Sequence, residues 1–407
     1  MSEKNDNKVP NVPNLRFKEF LGEWVTTTLE SLTKNEKKSF AGGPFGSDLK
    51  AEDYTLDGVP IIQLSNITED YLNFNERLIF TSEKKADSLI SNNAYPGDLI
   101  IAKMMPAGRC CIAQNLYNRY VLGSDAIRVN LDVKKCNKLF MREQINTQNI
   151  RKKITSKTAG STRQRIGIPE LKNLTLFSPS IEEQNKIGAF LLKLDTRIET
   201  QSKIISNLES LIKGIRQRIF SASNFNIHNS KEYELGSFLS EYSKKNIENN
   251  LISVSVGKYG IRRRDEIYSK ELSDDYSKNK VIEKDSLIIG MGSTQIDIGI
   301  LSKDEKYCVS PAYTTYKISG INADYLREYL IHLNSLLSKR YMVIGARQGK
   351  SVNKSELMQH VLLVHNIEKQ LQVVDIFNAF YDKLQKEKDI LSLYKKQKAY
   401  LLSNMFI

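Results

Sequence analysis

Two stretches of the chain combine the residue types that can grip a nucleic acid. Arg151 to Arg165, "RKKITSKTAGSTRQR", holds six basic residues and no acidic one, and Lys339 to Lys354, "KRYMVIGARQGKSVNK", holds five and none. Gly and Ser interleaved with Lys, Arg and Gln suit two kinds of contact: backbone amides and hydroxyls reach phosphates, while Arg and Gln can hold base edges in bidentate fashion. A charge run alone is usually a solvated face; recurrence in both halves of the chain is what favours DNA. The candidate contacts are Arg151, Lys152, Lys157, Arg163, Gln164 and Arg165 in the first stretch and Arg347, Gln348 and Lys350 in the second. Arg163-Gln164 and Arg347-Gln348 lead the set. "FAGGPFGSDL" (Phe40 to Leu49) adds Gly43, an exposed-looking Phe45 and Ser47, and "VGKYGIRRR" (Val256 to Arg264) adds Lys258, Tyr259, Arg262 and Arg263; an ordinary turn is the alternative reading of both. Lys103 and Ser293, at matching ends of two apolar runs, complete it.

Catalytic chemistry is harder to find. "GARQGKS" (Gly345 to Ser351) follows an apolar run as a phosphate-binding loop should, but has three residues rather than four between Gly and Gly-Lys-Ser. No Gly-x-Gly-x-x-Gly, Asn-Pro-Pro, Asp-Pro-Pro or Gly-x-Ser-x-Gly occurs, and the Glu-x-Lys triplets at Glu36 and Glu170 lack the preceding Pro-Asp of a nuclease. Cys110, Cys111, Cys136 and Cys308 show no metal spacing and read as reduced thiols, and His360 and His365 are five apart, which separates them on a helix and on a strand. The chain reads as a reader without a catalytic centre or metal site.

The elements that must position these residues follow from size and periodicity. A chain of 407 residues suggests two to three domains. Its 60 Lys and Arg against 47 Asp and Glu give a net charge of +13, which favours a polyanionic partner. No run approaches the roughly 18 apolar residues of a membrane span, and the first residues are polar, so a cytoplasmic location is expected.

The chain also repeats itself. "IEEQNKIGAFLLKLDTRIE" from Ile181 returns 186 residues later as "IEKQLQVVDIFNAFYDKLQ" from Ile367. Upstream, "GDLIIAKM" (Gly97 to Met104) matches "DSLIIGMGS" (Asp285 to Ser293), "VLGSDAIRVN" answers "CVSPAYTTYKI", and each basic loop precedes a strand and then the repeated helix. Heptad series run through Ile187, Leu194, Leu208 and Ile215, and through Leu191, Ile198, Ile205 and Ile212; the second copy gives Val373, Phe380, Tyr394 and Leu401 with Phe377, Leu384 and Leu391. Such spacing keeps an apolar stripe facing one partner, as in a coiled coil. Gln201 and Glu387 interrupt it at the same place, and Lys398, opposite Ile212, reads as drift in the second copy. The expected fold class is α+β: two tandem α/β domains and two long helices pairing as an antiparallel coiled coil in a pseudo-twofold molecule. The expected bounds are a tail over 1–23, domains over 24–179 and 233–365, helices over 180–222 and 366–407, and a linker over 223–232.

This order of parts resembles the specificity subunit of type I restriction-modification systems, most clearly in the paired helix segments and in "VPNLRFKEFLGEWVTTTLESL", "GGPFGSDL" and "YPGDLIIAK". The resemblance implies that the two domains are target-recognition domains, each reading half of a bipartite, asymmetric double-stranded DNA site, with the helices as ruler. It also implies two methyltransferase (modification) subunits docked on this chain and restriction (endonuclease/translocase) subunits added to them. S-adenosylmethionine, ATP and Mg would belong to those partners, and this chain would be non-catalytic. A coiled-coil adaptor without sequence-specific DNA binding is the alternative.

Overall fold

Leu99-Ile100-Ile101-Ala102 is apolar without alternation, the pattern of a strand covered on both faces, and all four residues are fully buried. The computed structural model describes residues 11–34, 38–74, 78–158, 164–221, 229–257, 260–268, 275–344 and 350–407. They form two units, one of residues up to Ser202 together with Asp389–Ile407, the other Lys203–Lys388.

In the first unit, strand Leu99–Ala102 lies inside a four-stranded sheet, in the order Phe40–Gly42, Ala126–Val129, Leu99–Ala102, Cys110–Ile112. Leu99, Ile101, Ile127 and Val129 pack on Phe140, Met141 and Ile145 of helix Lys138–Asn146. Ile100, Ala102 and Ala126 face the other way, onto Ile62, Tyr120 and Leu122 of a five-stranded sheet. A ribbon, Val25–Thr28 with Thr175–Ser178, leads into the long helix Ile181–Ile219.

The second unit repeats the central sheet. Its order is Leu239–Tyr242, Thr314–Ile318, Ser286–Met291, Ile296–Leu301, with Leu287, Ile288 and Ile289 in the places of Leu99, Ile100 and Ile101. Helix Ala323–Tyr341 covers one side. A ribbon of Ser230–Glu234 with Val361–His365 leads into helix Ile367–Asn404. The matched segments seen in sequence are therefore matched strands. Where the first unit has its five-stranded sheet, partly built from Leu64 to Asn93, the second has the hairpin Val254–Gly257/Gly260–Arg263 and the pair Lys280–Ile282/Tyr307–Val309.

Both long helices begin under an N-cap: Ser180 Oγ accepts from the amide of Glu183 and Asn366 Oδ1 from that of Lys369. Their heptad stripes are the buried sides. Ile187, Leu191 and Leu194 lie in the first unit's core with Leu401, Met405 and Phe406, flanked by Ile198 and Tyr394. In the second unit Val373, Phe377, Leu384, Ile205 and Ile212 are buried and Leu208, Ile215 and Phe380 half-buried, as is Leu391 in the first. Lys388 pairs with Glu209 at 2.8 Å and Arg216 reaches Tyr381 at 2.9 Å, so the helices run antiparallel there, as Ile187 beside Leu401 requires in the first unit.

Candidate nucleic-acid interface

In the first unit four loops converge at one end of the central sheet. The Gly43 amide donates to Ala126 O at 3.0 Å, the Lys103 amide to Asp125 O at 2.7 Å, and the Ile166 amide to Lys103 O at 2.9 Å. Arg165 forms an isolated bridge with Met104 and pairs with Asp125 at 3.1 Å. The basic segment thus returns across the hairpin tip that follows Leu99–Ala102. A Cβ on Gly43 would overlap the Gly123 carbonyl, which ties this glycine to close backbone packing. Phe45, two residues on, is 82% exposed, and Ser47, Lys152, Lys157 and Gln164 are exposed beside partly exposed Lys103 and Arg165.

The second unit docks its basic segment in the same place. Strand Lys350–Val352 pairs with Met342–Ile344, and Lys350 Nζ donates to Ser293 O at 2.6 Å, at the tip between Ser286–Met291 and Ile296–Leu301. Arg262 lies on the hairpin Val254–Gly257/Gly260–Arg263 and is exposed. Arg163, Lys258, Tyr259, Arg347 and Gln348 lie outside the described residues.

Two expected contacts have other work. Arg151 donates from Nε to Ala107 O at 3.0 Å and pairs with Glu69 at 3.1 Å; burial lowers its pKa, with Glu69 opposing. It anchors the 103–109 tip from behind rather than presenting a free guanidinium. Arg263 is held by Asp265, with Nη2–Oδ2 at 2.6 Å. Sequence reading gave no sign of either: Glu69 is far away in the chain, and Asp265, two residues on from Arg263, shows no pairing by spacing alone.

Away from this face, Asp70, Glu143 and Asp195 bring their oxygens close enough to hold a metal ion. Protein cations fill that place: Lys398 Nζ lies 2.6 Å from both Asp70 and Asp195, and Arg142 pairs with Glu143 and, at 2.5 Å, with Asp195. Burial opposes the charge on Lys398, but Glu143, Asp70 and Asp195 outweigh it and raise its pKa. Lys398 is therefore no drift in the repeat. In the second unit Glu328 holds the position of Glu143, with Arg216 at 2.8 Å and the Tyr381 hydroxyl donating to it at 2.9 Å; burial first and Glu328 second push that phenol up to about 12. His360 and His365 are buried on Tyr341 and Tyr325 hydroxyls, at 2.9 and 2.8 Å.

Residues 22–210 match the family model of the type I restriction modification DNA specificity domain. The fold extends the likeness to the whole chain, which resembles type I specificity subunits. The S subunit from M. genitalium is 16% identical with a TM-score of 0.56, over 97% of this chain and 99% of that one. A chain from work on assembly and conformational transition of the type I R-M system is 14% identical with a TM-score of 0.56, over 94% and 97%. No curated protein matches the sequence.

Proposed function

We propose that this chain is the DNA sequence-specificity subunit of a type I restriction-modification complex, and that each unit reads one half of a bipartite, asymmetric site. One observation carries the reading: a basic segment crosses the same hairpin tip of the same four-stranded sheet twice in one chain. Around that shared frame the second layers differ, a five-stranded sheet in one unit and short two-stranded pairs in the other, so the two half-sites differ as well. The long helices set the spacing and dock two methyltransferase subunits, to which restriction subunits add. S-adenosylmethionine, ATP and Mg work in those partners; this chain binds and positions DNA. Exposed Phe45 and Ser47, with Lys152, Lys157, Gln164, Arg262 and Lys350, make the contacts.

The test is to co-express the chain with type I methyltransferase subunits and map methylated adenines across the host DNA. A split motif with two short, unlike halves and a fixed gap is the expected result. A palindromic motif sinks the assignment of unlike readers, and a stable complex that modifies no motif sinks base reading altogether.

A further inference from the structure

In both units the central strand carries a small residue at or next to its end, Ala102 or Gly290, and the chain running beside it sets a charged residue directly opposite. Arg109 O accepts the Ala102 amide at 2.8 Å, and Asp297 is in register with Gly290. Directly paired residues share a sheet face. That face is the one turned toward each unit's second layer, since Ile100 and Ala102 pack there in one unit and Ile288 in the other. The position lies at the root of the tip on which the basic segment docks.

Among the described residues neither charge is paired. Asp297 is half-buried, and among the described residues no donor or cation meets its carboxylate; a Cβ on Gly292 would collide with it. Burial raises its pKa. Arg109 is half-buried, with one long bond from Nη2 to Leu64 O at 3.4 Å, a buried Nε lacking an acceptor, and no carboxylate in contact among the described residues. Holding a charge partly out of water without a partner is costly. A carboxylate is doubly out of place on a face meant for phosphates, unless a donor on a base edge meets it. In the major groove such donors are cytosine N4 and adenine N6, whereas guanine O6 and N7 take both arms of an arginine.

We propose that this shared register position reads a base in each unit: Asp297 accepts from the exocyclic amino group of a cytosine or adenine, and Arg109 donates to a guanine. The inference rests on the DNA-reading function proposed above and names the chemistry by which the halves differ.

The experiment uses the complex with methyltransferase subunits, comparing wild type, Asp297→Asn, Asp297→Ala, Arg109→Gln and Arg109→Lys. Methylated motifs are mapped, and affinity is measured on duplexes changed one base pair at a time. Both Asp297 variants are expected to lose discrimination at one position of one half-site, by about fivefold or more, with the other half and the gap unchanged. The Arg109 variants do the same in the other half. An equal gain in affinity on every duplex for Asp297→Asn, the signature of relieved phosphate repulsion, overturns the proposal. So does a lowered melting temperature with discrimination intact. A wild-type complex without a split motif sinks the function beneath; a split motif unchanged in all four variants sinks only this inference.

Discussion

Lys398 shows how a residue can be misread from spacing alone. At a heptad position matching Ile212 it breaks an apolar stripe; in the structure it neutralises three carboxylates that no local pattern brings together, since Asp70, Glu143 and Asp195 come from three distant segments. Removing one partner from a buried ionic group leaves the others uncompensated. Lys398→Met should therefore lower the unfolding free energy by about 3 kcal/mol in a urea titration; a change within error would show the cluster to be solvated. The thiols were legible as reduced, and the structure adds why they are inert. Burial pushes Cys111 and Cys136 up to about 12. Because the folded values lie above the unfolded ones, the stabilisation they permit is intact below about pH 8.5 and is lost as pH rises toward 12. Alkylation at pH 8 should be slow in the folded protein and fast in urea, and stability should fall between pH 9 and 11.

At the level of elements, the repeat was the most readable feature. "GDLIIAKM" and "DSLIIGMGS" became equivalent strands of two matching sheets because a doubly covered strand must be an unbroken apolar run, and such runs stand out. The heptads likewise marked the buried stripes of Ile181–Ile219 and Ile367–Asn404. The five-stranded sheet was not foreseen beyond its extra length, since its strands are two to four residues long and too short to show a period. Adding one turn to both long helices lengthens each by about 5.4 Å. The mapped motif should then keep both halves and change its gap by one or two base pairs; an unchanged gap would remove the ruler role.

For the molecule as a whole, the charge of +13 pointed to a polyanion but not to a surface. Only folding brings Gly43, Lys103, Gln164 and Arg165 to one tip, through contacts between segments tens of residues apart. Of the individual bets, Phe45 was readable because a Gly-rich loop exposes what it carries, whereas Arg109 and Asp297 carried no signal at all: their significance lies in a strand register. If about six phosphates are neutralised, affinity for duplex DNA should fall roughly a thousandfold between 50 and 200 mM salt, read as a linear log–log titration. A flat response would point to an adaptor that does not bind DNA.

The placing of Asp389–Ile407 in the first unit sets an order in time. Phe406 packs edge-on to Trp24 and against Phe140, and the Leu15 amide donates to Asn404 O, so the first core is finished by residues made long after the rest of it. Domains ordinarily close in the order in which they leave the ribosome. Here the second unit, continuous from Lys203 to Lys388, can close while the first still waits, and at about 5–20 residues per second that wait lasts on the order of ten seconds or more. Trp24 and Phe140 lack Phe406 throughout it, so a nascent chain that stalls before Leu401 leaves its oldest part as the one that chaperones and proteases see.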